Sequence, residues 1–182
     1  RNGDVLRHFT HKGVSASSVW GRAQAWGMLY SAMAFVRSPG ETRWLARSMA
    51  AADWWLARVP DDRVAFWDFD DPAIPDTERD TAATTIACAA LLKLAEVAPD
   101  AASRSRYRDA AERTVRALVD AYLTPTSAGD SRPRGMLVGG CFNKRPDSRP
   151  RDAALNAELI FGSYFLFESL QTLSGVVKAT EI

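Results

Sequence analysis

The sequence predicts an all-α protein whose helices form the inner and outer layers of an incomplete α/α toroid. Three observations predict it. Five segments carry helical periodicity, and none reads convincingly as a strand. Segments that are apolar or small on nearly every face alternate with amphipathic ones, as inner helices alternate with outer ones. Two connections are long and dense in aromatic or charged residues, where a simple bundle uses about 2–8 residues. Five helices cannot close such a ring in the usual way, so an incomplete ring is expected.

The first helix is predicted from about Ser18 to Val36, and SPGE breaks the chain after it at Pro39 and Gly40. The second covers about Glu41 to Val59, where WLARSMAAADWWLARV alternates arginine with apolar turns. The loop PDDRVAFWDFDDPAIPDT follows. A third helix starts near Glu78, with Thr77 and Asp80 spaced as in a capping box, and its run AATTIACAALLKLAEVA is apolar on most faces. The fourth, about Ala101 to Leu123, is amphipathic. A second long loop, about Thr124 to Asp152, is rich in Gly, Pro and Arg; the last helix covers about Ala153 to Leu173.

A length of 182 residues and a hydrophobic content of 47% suit one domain, residues 1–182, or a piece of a larger one. The formal net charge of +1 supplies no field that would draw the chain to nucleic acid or to a membrane. No apolar run approaches the ~20 residues of a transmembrane helix. The opening RNGDVLRHFTHKG is polar, shows no secretory leader and reads as the interior of a protein. Cys88 and Cys141 are too few for a disulfide scaffold, and Cys88 sits in the apolar run IACAALL. Together with His8 and His11 they do not make a zinc spacing, so no zinc site is expected.

The segment SVWGRAQAWGMLY concentrates chemistry: Trp20, Arg22, Gln24 and Trp26 lie within seven residues, separated by Gly or Ala. Flat apolar rings beside a fixed positive fork suit a sugar carrying a carboxylate. At ~100° per residue Trp20 and Gln24 share one helix face, and Arg22 and Trp26 share another. Either the helix begins inside the cluster with its first turn at a cavity, or some of the four are packing residues. The preceding THKGVSASS brings His11 and Lys12 to the helix start, where unpaired backbone N–H groups favour an anion. Asp68, Asp70 and Asp71 in FWDFDDP admit a paired-carboxylate reading, but Asp before Pro is ordinary turn chemistry, which is the expectation here. Asp80 is assigned to the helix start. Arg132, Arg134, Lys144, Arg145, Arg149 and Arg151 read as a solvated charge run, while Gly139, Gly140 and Asn143 offer backbone that a ligand can approach.

Taken together, these segments resemble the unsaturated glucuronyl hydrolases, glycoside hydrolase family 88, in order and over nearly the whole chain. The family's W-x-R-G-Q-A-W signature is matched by Trp20 to Trp26, its W-D-F-D-D-P segment by Trp67 to Pro72, and its G-x-Y-F-x-x-E pattern by Gly162, Tyr164, Phe165 and Glu168. The resemblance implies an (α/α)6 barrel and a substrate with an unsaturated uronic acid at its non-reducing end, made by polysaccharide lyases. It implies hydration of the vinyl ether without cofactor or metal: protonation at carbon 4, addition of water at carbon 5 and collapse of the hemiketal. A carboxyl group tuned by burial and neighbours can serve such chemistry as acid and base in turn.

The resemblance also places His11, Lys12, Trp20, Arg22, Gln24 and Trp26 at substrate-binding positions, with Gly140 and Asn143 near a late substrate-contact loop. Lys12 stands where the family often has glutamine, and Ala23 where the signature has glycine. The family's two key aspartates lie ahead of everything matched here. The chain is therefore expected to be the C-terminal half of such an enzyme, with a substrate wall but no catalytic residue of its own. An incomplete ring predicts exposed apolar surface and a partner, either a missing N-terminal half or another copy. The alternatives are a non-catalytic carbohydrate-binding module and a structural helical-repeat scaffold.

Overall fold

A computed structural model describes residue 7, residues 9–145 and residues 147–182, so His8 lies outside the described residues. The described residues form five α-helices: α1 (Gly21–Arg37), α2 (Thr42–Leu56), α3 (Thr81–Val97), α4 (Ala101–Tyr122) and α5 (Ile160–Leu173). Among the described residues, extended pairing is confined to isolated antiparallel bridges.

α3 is the hub. Every residue from Thr81 to Leu94 is buried, because α1, α4 and α5 all pack on it. Its alanines (Ala82, Ala83, Ala87, Ala89 and Ala90) let those helices approach from several sides, while Ile86, Leu91 and Leu94 fill the spaces between them. α1, α3 and α5 form one row; α2 packs behind α1 and α3, and α4 behind α3 and α5. The outer helices bury a single stripe each. In α4 the stripe is Tyr107, Ala110, Ala111, Thr114, Val115 and Leu118; in α2 it is Ser48, Ala52 and Trp55. This is the alternation of inner and outer helices expected from the sequence.

Three boundaries differ from expectation. α2 ends at Leu56, short of Val59. The start of α3 is set by Asp80, whose side chain accepts from the Ala82 and Ala83 amides, and Thr77 is not its cap. Thr77 instead donates to Asp71, because the loop chain folds away from the helix there. α5 begins at Ile160 and not at Ala153. The backbone before it is committed elsewhere: Phe142 N donates to Ala154 O, Gly140 and Ala157 exchange both amide bonds, and Asn156 adopts a left-handed conformation (φ 48°). A helix needs those same groups and a different backbone conformation.

A buried ion pair fastens the end of the chain to the hub. Lys93 Nζ, 2% exposed, donates to Glu168 Oε1 (3.0 Å) and to the carbonyls of Ala179 and Ile182 (2.7 Å each). One turn on, Glu96 accepts from the Ala179 and Thr180 amides (2.6 and 3.1 Å). The far face of α5 is bare: Ile160, Tyr164 and Phe167 are 76%, 56% and 62% exposed, and Tyr30 of α1 is 60% exposed. No helix among the described residues is long and apolar enough to cross a membrane.

If α3 is the hub, Leu91→Ala destabilises the chain by about 2–5 kcal/mol, through lost burial and a residual cavity. Phe167→Ser, on the bare face of α5, changes stability by only about 0.5 kcal/mol. Urea denaturation of the two variants checks the contrast.

Candidate functional site

The loops that precede α1, α3 and α5 meet at one end of the helix row, and a cavity of about 480 Å³ opens there. Its wall is built by the 9–20 loop and the first turn of α1: Phe9, Thr10, His11, Ser18, Val19, Trp20, Ala23 and Gln24. Trp20 is the N-cap residue of α1, so the helix begins inside the cluster and its first turn borders the cavity. Gly21 allows this placement. Its amide donates to Trp67 O (2.8 Å), and a Cβ there would sit 2.8 Å from the Phe66 carbonyl oxygen. Two polar atoms of the wall, Thr10 Oγ1 and Trp20 Nε1, make no hydrogen bond within the protein.

Arg22 lies one layer deeper and is 2% exposed. Its Nη2 donates to the carbonyls of Cys141 (2.9 Å) and Phe142 (2.6 Å), and its Nε faces Asp80 Oδ2 at 3.4 Å. The rings of Trp20, Phe142 and Phe161 surround the guanidinium, with centroids at 5.1, 5.3 and 5.4 Å. Burial pushes the Asp80 carboxyl above its usual pKa, and the Arg22 charge and the amides of Ala83, Cys141 and Ala82 pull it back. Lys12 places its ammonium over Phe142, 4.4 Å from the ring centroid, so that ring lies between two cations.

The acidic loop is used up in structure. Asp68, fully buried, accepts from the Val14 amide (2.8 Å), the Ser18 hydroxyl (2.6 Å) and the Asp70 amide (2.9 Å). Asp70 accepts from the Val19 amide (2.8 Å). Asp71 accepts from Trp67 Nε1 and Thr77 Oγ1 (2.5 Å each) and from the Ala73 amide (2.9 Å). Burial raises the Asp71 pKa, but these hydrogen bonds and the Lys144 charge outweigh it and hold the carboxyl below its usual range. The turn reading of this loop therefore describes it better than a paired-carboxylate one.

The candidate residues do not form one group. His11, Trp20 and Gln24 line the cavity. Lys12, Arg22, Gly140 and Asn143 belong to the layer behind it, around Phe142. Gly140 is packed tightly: a Cβ there would lie 2.9 Å from Ala157 O and from Leu159. Asn143 accepts the Arg145 amide (3.2 Å) and turns the loop. Trp26 faces a second groove of about 290 Å³, stacked on Tyr30 (5.1 Å) and edge-on to Phe165 (5.6 Å), with Lys93 and Glu168 also in its wall. Trp20 and Gln24 thus face the cavity and Trp26 the groove, while Arg22, expected on the Trp26 face, packs inward against loop carbonyls.

Phe142 and Phe161 were not singled out in the sequence; their contacts with Arg22, and for Phe142 with Lys12, mark them. Lys93 carried a signal, because a lone lysine inside an apolar helix requires a buried partner. The charge run is not wholly solvated, since Lys144 and Arg145 bond to other loops. Cys88 and Cys141 are free and buried, and burial pushes both thiols up to about 12. Among the described residues no three His, Cys, Asp or Glu side chains gather as a metal site.

No family model matches the chain. Individual proteins do. The unsaturated glucuronyl hydrolase of Bacillus sp. strain GL1 is 35% identical over 173 residues, 94% of this chain and 44% of that protein. Its crystal structure superposes with a TM-score of 0.83 at 32% identity, over 97% of this chain and 45% of that one. The chain is similar to the unsaturated glucuronyl hydrolases over nearly all of its length. A Formosa agariphila unsaturated glucuronyl hydrolase is 27% identical over 97% of this chain and 42% of its own length. An unsaturated chondroitin disaccharide hydrolase of Streptococcus pyogenes is 26% identical over 92% and 40%. A variant unsaturated glucuronyl hydrolase of Streptococcus agalactiae, solved in complex with dGlcA-GalNAc6S, superposes with a TM-score of 0.72 at 25% identity, over 93% of this chain and 43% of that one. The two-layered helical arc thus has the fold of part of the (α/α)6 toroid of these structures. The chain spans less than half the length of these relatives.

Two outcomes test the layer beneath the cavity. Arg22→Met leaves Asp80 buried without its cation and lowers stability by about 3–5 kcal/mol in urea denaturation. For Asp71 the folded pKa lies below the unfolded one, so between the two values the unfolded chain binds more protons. Its contribution is complete above the unfolded value of 3.8 and is lost as pH falls through the folded value. Thermal melts from pH 6 to pH 2.5 will therefore show a shallower acid decline in Asp71→Asn than in the unmodified chain.

Proposed function

We propose that this chain is one domain, the sugar-binding C-terminal part of an unsaturated glucuronyl hydrolase. It takes unsaturated uronic-acid oligosaccharides of the kind released by polysaccharide lyases. The observation that carries this reading is the meeting of His11, Trp20 and Gln24 around one cavity, in a chain similar to such enzymes nearly from end to end. The Trp20 indole offers an apolar face for a sugar ring. His11 and Gln24 add polar side chains to the same wall, Gln24 with its Nε2 donating to the Ala51 carbonyl (3.3 Å). Arg22, buried one layer below and paired with Asp80, holds this wall in place.

Complete enzymes of this kind hydrate the carbon 4–carbon 5 double bond, and that chemistry requires an acid able to deliver a proton to carbon 4. The carboxylates near the cavity are poorly suited to it. Asp68, Asp70 and Asp71 accept hydrogen bonds that tie loops together, and Asp80 caps a helix and faces Arg22. We therefore assign binding to this chain and the acid/base to a part of the enzyme outside it. The bare apolar side chains of α5 and Tyr30 favour a covering partner, either the other half of the ring or a second copy.

Titration calorimetry with an unsaturated uronic disaccharide will show saturable binding, weakened at least about tenfold (1.4 kcal/mol) by Trp20→Ala. Ultraviolet absorbance of the double bond will stay constant in the presence of this chain alone. Turnover would overturn the assignment of the acid to another part. Absence of any binding would favour a structural scaffold.

A further inference from the structure

The dipeptide Lys144-Arg145 touches two different loops with two consecutive side chains. Lys144 Nζ donates to Thr77 Oγ1 (2.7 Å), pairs with Glu78 and lies 3.8 Å from Asp71 Oδ2. All three partners belong to the loop before α3. Arg145 Nη1 donates to the His11 carbonyl (3.0 Å), which belongs to the loop before α1 and to the cavity wall. The rest of the Arg145 guanidinium is held by Asp147 (2.8 and 3.0 Å), which fixes its fork. The backbone bond of Phe142 N to Ala154 O precedes the dipeptide, and the Asn143 side chain turns the chain into it by accepting the Arg145 amide. The carbonyls of Cys141 and Phe142, which grip Arg22, lie two to four residues upstream.

We propose that Lys144-Arg145 is a staple joining the three loops at this end of the helix row, and that both are positioning residues for the cavity. Lys144 seats the third loop on the second. Arg145, held in place by that seating, fixes the His11 backbone and with it the rim of the cavity. Lys144 is 30% exposed, so its ion pairs add little to global stability. Their effect is local: they set the order of the 9–14 segment, which Lys144 does not touch.

The test uses the full chain and the variants Lys144→Met, Arg145→Gln and, as the conservative control, Lys144→Arg. Hydrogen exchange reads the loop directly. The Thr10 amide bonds Ala16 O, and the Val14 amide bonds Asp68 Oδ2, so each reports order in the first loop. Both amides are expected to exchange about tenfold faster in Lys144→Met and in Arg145→Gln, with the amides of Ile86 and Leu91 in α3 unchanged. Lys144→Arg is expected to restore protection. Unchanged exchange at Thr10 and Val14 overturns the staple, and so does equal acceleration throughout α3, which would mark general destabilisation. A second arm, resting on the proposed function, measures affinity for an unsaturated uronic disaccharide; about a fivefold loss in Lys144→Met, recovered in Lys144→Arg, is expected. Failure of the unmodified chain to bind the sugar would refute the proposed function alone, because the exchange arm judges the staple without any sugar.

Discussion

The buried guanidinium of Arg22 is the constraint on which this end of the protein depends. A permanently charged group in the interior must find its hydrogen bonds there. Arg22 takes them from the Cys141 and Phe142 carbonyls and takes its counter-charge from Asp80. One side chain of α1 thereby fixes the start of α3 and the loop that leads to α5. The aromatic rings around it exclude water without competing for its N–H groups, and one of them, Trp20, carries the inner layer out to the cavity wall.

The same logic explains how so acidic a loop lies beside a site without supplying its chemistry. Each carboxylate is surrounded by donors from a different segment: Asp68 and Asp70 from the 14–19 stretch, Asp71 from its own loop, and Asp80 from α3 and α1. Asp71, held by several donors, favours its charged form and is a poor proton donor at neutral pH. Asp80 departs from this pattern because burial dominates, but it is enclosed by protein and does not border the cavity.

At the opposite end of the hub, Lys93 and Glu168 follow a similar rule. Their pairing lets a charged residue occupy an otherwise apolar helix, and it fastens residues 179–182 across the groove that holds Trp26. α3 is thus tied at both ends by buried ion pairs, with a packed apolar section between them. The bare aromatic side of α1 and α5 contrasts with this internal completeness, in keeping with a chain that spans less than half the length of its relatives.

Much of the architecture was legible in the sequence. The all-apolar run around IACAALLKL marks an inner helix, and the arginine-studded stretches mark outer ones, because hydrophobic periodicity directly reports how many faces are covered. The angular argument on Trp20, Arg22, Gln24 and Trp26 held in part: Trp20 and Gln24 share the cavity, but Arg22 and Trp26 share no surface, because Arg22 turns inward to loop carbonyls. What periodicity could not tell was where each helix starts when loop backbone competes for its amides, as at Asp80 and at Ala153–Leu159. Nor could it tell that Arg22 would meet a carbonyl 119 residues away, or that Lys144 and Arg145 would leave the solvated charge run to join two other loops. Sequence by itself determined the helices, their layers and the residue types gathered near Trp20, since those follow from local spacing. Only the tertiary structure decided which of those residues face the cavity and which hold it together, because that depends on how three loops fold back onto one another.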